Sequence, residues 1–173
     1  MGGVVYQELG RPYTTPFVGL FLFSPDYIKL LKNLSYYLSL DLTFTDHSKY
    51  GRFSYPVGLL DDVEIHFLHY ATKEEAYQKW TRRKARINYD NLFVKMNDSD
   101  QCTNELMTEF DKLPFQHKVF FSAQKVEGME SLIWLKELSK ASCIKNGKDI
   151  KVYRKYFDVV RWLNQGRNVR LKE

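Results

Sequence analysis

Cysteine is nearly absent from this sequence: only Cys102 and Cys143 occur in 173 residues. Two thiols cannot build a disulfide framework, and no Cys/His spacing fits a zinc site. Long hydrophobic runs are also missing. The longest, Phe17 to Phe23, is far short of the roughly 20 residues that span a bilayer. The opening MGGVVYQELGRPY lacks the basic and apolar regions of a secretory signal. These absences lead to the expectation of a cytoplasmic protein with reduced thiols and no transmembrane segment. No internal repeat, low-complexity tract or Pro/Gly-rich linker divides the chain, so we expect one domain over residues 1–173. Charge of one sign is not dominant either. The balance of 26 basic and 21 acidic residues gives a net +5, which favours anionic ligands without requiring nucleic acid. No DNA- or RNA-reading motif appears.

What is present is a dense apolar and aromatic content, 44% and 16% of residues, enough for a packed core. A chain of this size buries about 70% of the surface exposed when unfolded. Ser24-Pro25-Asp26 reads as a helix start, with apolar residues at helical spacing from Tyr27 to Leu38. Tyr55 to Leu60 reads as a strand, followed by a turn at Asp61-Asp62. Val63 to His69 is rich in β-branched and aromatic residues. A capping-box pair, Thr72 and Glu75, then opens a helix over Lys73 to Ile87. Asn91 to Met96 reads as strand, Thr103 to Leu113 as helix, Lys118 to Ser122 as strand, and Leu132 to Leu135 as a further short strand. The alternation predicts an α/β fold with a largely parallel central sheet flanked by helices. Asn146-Gly147 reads as a turn, Phe157 to Leu163 as a last helix stopped near Gly166, and the chain end as frayed.

In open parallel sheets ligands bind beyond the carboxyl ends of the strands. That rule groups His69 at the end of one strand, Asn97, Asp98, Asp100 and Cys102 at the end of the next, and Ser122 at the end of the third. It sets aside the more conspicuous Asp61-Asp62 pair, which lies at the opposite edge. Asp98 and Asp100 could hold a divalent cation such as manganese or magnesium, or satisfy backbone donors in a turn. Cys102, near a helix N-terminus, could serve as a nucleophile or as a small half-buried residue. His66 and His69 point to opposite faces of a regular strand, so His69 is the better general-base candidate. On the helix KEEAYQKWTRRKARIN, Arg83 sits at the border of the apolar stripe. With Arg86 it could clamp a phosphate or form a structural ion pair.

Four segments, LGRPYTTPFVGLF, YPVGLLDDVEIHFLHY, EEAYQKWTRRKARINYDNLFVKMNDSDQCT and FDKLPFQHKVFFS, resemble a bacterial family of unknown biochemical function found among exopolysaccharide and capsule biosynthesis proteins. The resemblance runs from about Gly2 to Leu163 and implies a layered α/β fold and a polysaccharide context. Relatives carry a short strand and an Asn-Asn-Cys-Trp-Gly-Gly motif at their start. Only Gly2-Gly3 remains here, so the start is expected to differ or to lack that strand. The expected role is a transferase acting on an activated sugar or sugar-bearing intermediate. Asp98 and Asp100 would orient metal or hydroxyls, His69 would act as base, and Arg83 and Arg86 would hold the phosphate of a nucleotide sugar or sugar phosphate. Two other readings stay open. One is a non-catalytic saccharide- or partner-binding module using aromatics such as Trp80, Trp134 and Trp162. The other is a cysteine hydrolase built on Cys102.

Overall fold

The computed structural model describes residues 2–8, 10, 12–145 and 149–165. The expected turn at Asn146-Gly147, the stop at Gly166 and the frayed end lie outside those residues. The backbone gathers into two compact units, Met1–Tyr89 and Asp90–Glu173.

The first unit begins with helix α1 (Gly2–Glu8). Helices α2 (Ser24–Lys32) and α3 (Leu34–Ser39) follow. The expected single helix from Ser24 is interrupted at Asn33, which leaves the helical region at φ −139° and ψ 53°. Its start is set by proline in the first turn, with Phe23 rather than a hydroxyl residue at the cap. Strands β1 (Thr43–Thr45), β2 (Val57–Leu60) and β3 (Val63–His66) form an antiparallel sheet in the order β1-β2-β3. Phe21 bridges His66 on the other side of β3. Helix α4 (Lys73–Lys84) closes the unit; Thr72 Oγ1 accepts from Glu75 N–H at 3.1 Å, as the capping-box spacing predicts. Ala76 and Trp80 form its buried face, and Trp80 packs edge-on against Phe17 and Phe67.

The second unit holds β4 (Phe93–Asn97), α5 (Asn104–Lys112), β5 (His117–Ser122) and β6 (Leu132–Trp134). Two 3-10 turns (Lys136–Leu138 and Asp149–Lys155) and α6 (Val159–Gln165) complete it. The sheet order is β4-β5-β6, all parallel. Alternation along β5 sends Phe120 to one face, against Phe110 of α5, and Phe121 to the other, against Tyr153 and Phe157. Both faces are covered, which is why β5 reads as a nearly unbroken apolar run.

The largely parallel central sheet is therefore incorrect. The strand at 63–66 belongs to a separate antiparallel sheet and does not join β4 and β5. The physical reason is the two-residue connection Asp61-Asp62. A link that short can only return the chain antiparallel, and Asp61 takes the left-handed backbone (φ 53°) that such hairpins need. The strand–helix–strand pairing expected of Asn91–Ser122 holds in the second unit. Among the described residues no helix is long and apolar enough to cross a membrane.

Candidate functional site

Correcting the sheet changes what the carboxyl-edge rule can group. It still applies to β4, β5 and β6, but His69 is tied to the other sheet. His69 is exposed, in the turn closed by Tyr70 N–H to Phe67 C=O just after β3.

At the end of β4 the structure brings Asp98 and Ser122 together. Asp98 is buried. Its Oδ2 accepts from Ser122 Oγ at 2.8 Å and Ala123 N–H at 2.7 Å, and its Oδ1 accepts from Ile144 N–H at 2.8 Å. Ser122 Oγ in turn accepts from Gln124 N–H. Asp98 thus joins the ends of two strands and a distant loop. Asn97, Ser99 and Asp100 form a different arrangement. The half-buried Lys95 donates from Nζ to Asn97 Oδ1 at 2.7 Å. Asn97 Nδ2 donates to Ser99 Oγ, and Ser99 Oγ donates to Asp100 Oδ2 at 2.6 Å. Burial pulls the Lys95 ammonium down to about 8, against the opposing pull of the Asp100 and Asp98 carboxylates.

The turn carrying this chain is unusual in its backbone. Asp100 (φ 60°) and Gln101 (φ 65°) are successive non-glycine residues in the left-handed region. Such conformations cost free energy and concentrate at functional turns. The turn ends where Thr103 caps α5, accepting from Leu106 N–H at 3.3 Å. Cys102 sits just before that cap, half-buried, with Sγ 3.8 Å from Thr103 O; among the described residues neither Cys102 nor Cys143 is in a disulfide. Among the described residues no three His, Cys, Asp or Glu side chains gather as a metal-holding group.

Lys95 escaped the sequence reading. The available signal was period two: Lys95 shares a strand face with Asn97, and a lysine inside an otherwise apolar strand needs a reason.

The first unit contains a second polar cluster, also missed. Glu64 and His66 are buried on one side of β3. Glu64 accepts from Ser48 Oγ, and from Lys49 N–H at 2.8 Å. Buried Asp26 accepts from Lys49 Nζ at 2.7 Å and Glu64 N–H at 2.8 Å. His66 is enclosed by the rings of Phe21, Phe23, Tyr50, Phe53 and Tyr55, with centroids 4.8–6.1 Å from its own. Its Nε2 lies 3.5 Å from Glu64 Oε2, and neither ring nitrogen makes a hydrogen bond. Burial lowers its basicity and outweighs the pull of Glu64 and Asp26; Lys49 adds to the lowering. The spacing Glu64-x-His66 was the sequence signal, since residues two apart share a strand face.

The pH consequence has a definite sign. The folded protein keeps His66 neutral, so the unfolded chain takes up the proton first as pH falls below 6.5. The stability contribution of His66 is complete above 6.5 and is lost as pH falls through the lowered folded-state value. Urea midpoints measured between neutral and mildly acidic pH are expected to fall for the parent, and to fall less for His66→Phe. Parallel slopes in the two proteins would contradict this.

The remaining predicted residues sit on α4 and just beyond it. Arg83 Nη1 donates to Val18 O and Tyr70 Oη, both at 2.9 Å, and its guanidinium stacks over the Tyr13 ring. Arg86 is exposed, with Nη1 3.4 Å from Tyr13 O. Of the tryptophans considered for sugar stacking, Trp80 and Trp162 are core residues. Trp134 is half-buried, donating from Nε1 to Ala123 O, with Lys136 over its ring.

Comparison with known proteins gives two similarities. The family described as "Domain of unknown function (DUF1919)" matches residues 1–164. An "Uncharacterized protein" of Haemophilus influenzae is 37% identical over 169 residues, covering 95% of this chain and 80% of that protein.

Proposed function

We propose that this chain, which belongs to the DUF1919 family of unknown function, is a transferase of exopolysaccharide or capsule assembly in which Lys95 is the base. The observation carrying this reading is the series Lys95–Asn97–Ser99–Asp100, hydrogen-bonded in order at the carboxyl end of an edge strand, on a turn with two left-handed non-glycine residues. A lysine near 8 is partly neutral at physiological pH and can accept a proton. Asn97 fixes the position of Nζ. Asp100, oriented by Ser99, offers carboxylate oxygen to a sugar hydroxyl.

In the proposed reaction the acceptor hydroxyl gives its proton to neutral Lys95. Its oxygen bonds to the anomeric carbon of the activated sugar. The bond from that carbon to the leaving diphosphate breaks, and the electron pair departs with the diphosphate. In this reading Asp98 and Ser122 hold the turn in place and do not touch substrate, and Lys95 takes the role first expected of His69.

The direct test is a thermal-shift screen of nucleotide sugars, each with and without manganese, on the full chain. Stabilisation by one nucleotide sugar is expected, and the manganese arm reads whether a cation takes part. Stabilisation by oligosaccharides alone would replace the transferase with a binding module. No response to any sugar ligand would remove both.

A further inference from the structure

Lys79, Arg82, Arg83, Lys84 and Arg86 place five cations within eight residues at the C-terminal end of α4 and just beyond it. None of the five forms an ion pair with a described residue. The negative end of the helix dipole offsets part of their mutual repulsion, but only within the last turn. Arg83 and Arg86 are moreover gathered on one residue. The Arg83 guanidinium carbon lies 4.8 Å from the Tyr13 ring centroid, and Arg86 Nη1 lies 3.4 Å from the Tyr13 carbonyl oxygen.

Arg83 is the informative member. It is half-buried, so it has given up part of its hydration without gaining a carboxylate. Its two protein hydrogen bonds both leave from Nη1 and go to uncharged oxygens. A guanidinium carries five N–H donors in a planar fork that matches a pair of phosphate oxygens. Tyr13, Val18 and Tyr70 fix the plane of that fork, which lowers the entropy lost when an anion docks.

We propose that Arg83 and Arg86, clustered on Tyr13, bind the diphosphate group of a small molecule. Two guanidiniums held at one tyrosine, with further lysine and arginine charge on the same stretch of chain, suit a multiply charged anion better than a single phosphate. Convergence on one tyrosine suits a compact group better than an extended nucleic-acid backbone, which calls for a stripe of cations along its path.

The probe is inorganic pyrophosphate, titrated calorimetrically into the full chain at low and moderate salt. The expected dissociation constant is below about 1 mM, weakening by about tenfold or more in Arg86→Gln. Arg86 is exposed and makes only one long hydrogen bond, so that variant keeps the fold. Arg83→Lys, checked by its melting curve, retains the charge but loses the fork and is expected to weaken binding as well. Lys112→Gln, at the end of α5, removes the same charge elsewhere and should leave affinity within about twofold. A nucleoside diphosphate and farnesyl diphosphate, titrated in parallel, report whether a nucleoside or a lipid carries the group. No pyrophosphate binding by the parent, equal weakening by Lys112→Gln, or tighter binding of a single-stranded oligonucleotide would overturn the assignment. Pyrophosphate carries no sugar, so this result and that of the Lys95 reaction stand or fall separately.

Discussion

Lys95→Met is expected to lower the transfer rate by about 10²–10⁴-fold while leaving the protein at least as stable as the parent at neutral pH. The two halves of this expectation share one cause. Burial disfavours the lysine charge and brings Lys95 to about 8, so its neutral form is available as a base. The same burial makes the charged side chain a burden on the fold at neutral pH. The folded state holds fewer protons here than the unfolded chain between about 8 and 10.5, so the Lys95 contribution to stability is fully present above 10.5 and lost as pH falls toward 8. Methionine removes that dependence. In the parent, the rate should rise about tenfold per pH unit and level off above about 8, where Lys95 is neutral. A guanidinium in the same place would stay charged, so Lys95→Arg should not restore the rate. A Lys95→Met enzyme with the parental rate and pH profile would mean that another group takes the proton.

Asp98→Ala should show the opposite pattern: a large loss of stability, about 3–5 kcal/mol, from a position that does not touch substrate in the proposed reaction. The carboxylate accepts from Ser122 Oγ and from the N–H groups of Ala123 and Ile144, and all three bonds are buried. Each buried donor left without a partner costs about 1–3 kcal/mol, and relaxation recovers part of the sum. Domains are stable by only about 5–15 kcal/mol, so the loss is a large share of the total. Asp98→Asn should fall between the two. It keeps one carbonyl oxygen but turns an amide N–H toward donors that need an acceptor. Urea unfolding at fixed pH measures both variants. A midpoint shift equivalent to less than about 1 kcal/mol in Asp98→Ala would show that water or neighbouring groups replace the carboxylate.

The elements set by near neighbours were readable from the sequence. Thr72 and Glu75 marked the start of α4, and Pro25 the start of α2. The strand–helix–strand run from Asn91 to Ser122 pairs in parallel as its spacing requires. The hairpin was legible too, since Asp61-Asp62 between two apolar runs demands antiparallel pairing. The strand pattern at Val63–His69 resembled that of β4 and β5, and grouping the three by likeness gave the wrong sheet.

What the sequence determined on its own was the set of local preferences: where helices begin, where strands alternate, and which turn is too short for a crossover. Those follow from backbone sterics and from hydrogen bonds between residues a few positions apart. Tertiary structure alone decided the use of each polar group. Asp98 became a buried acceptor because Ala123 and Ile144, 25 and 46 positions away, aim N–H groups at it. The Lys95 ammonium became a stronger acid because packing strips part of its water, and Arg83 gained oxygen partners from Val18 and Tyr70 but no carboxylate. Desolvation and hydrogen-bond satisfaction depend on which distant segments arrive, so residue type and local spacing cannot specify them.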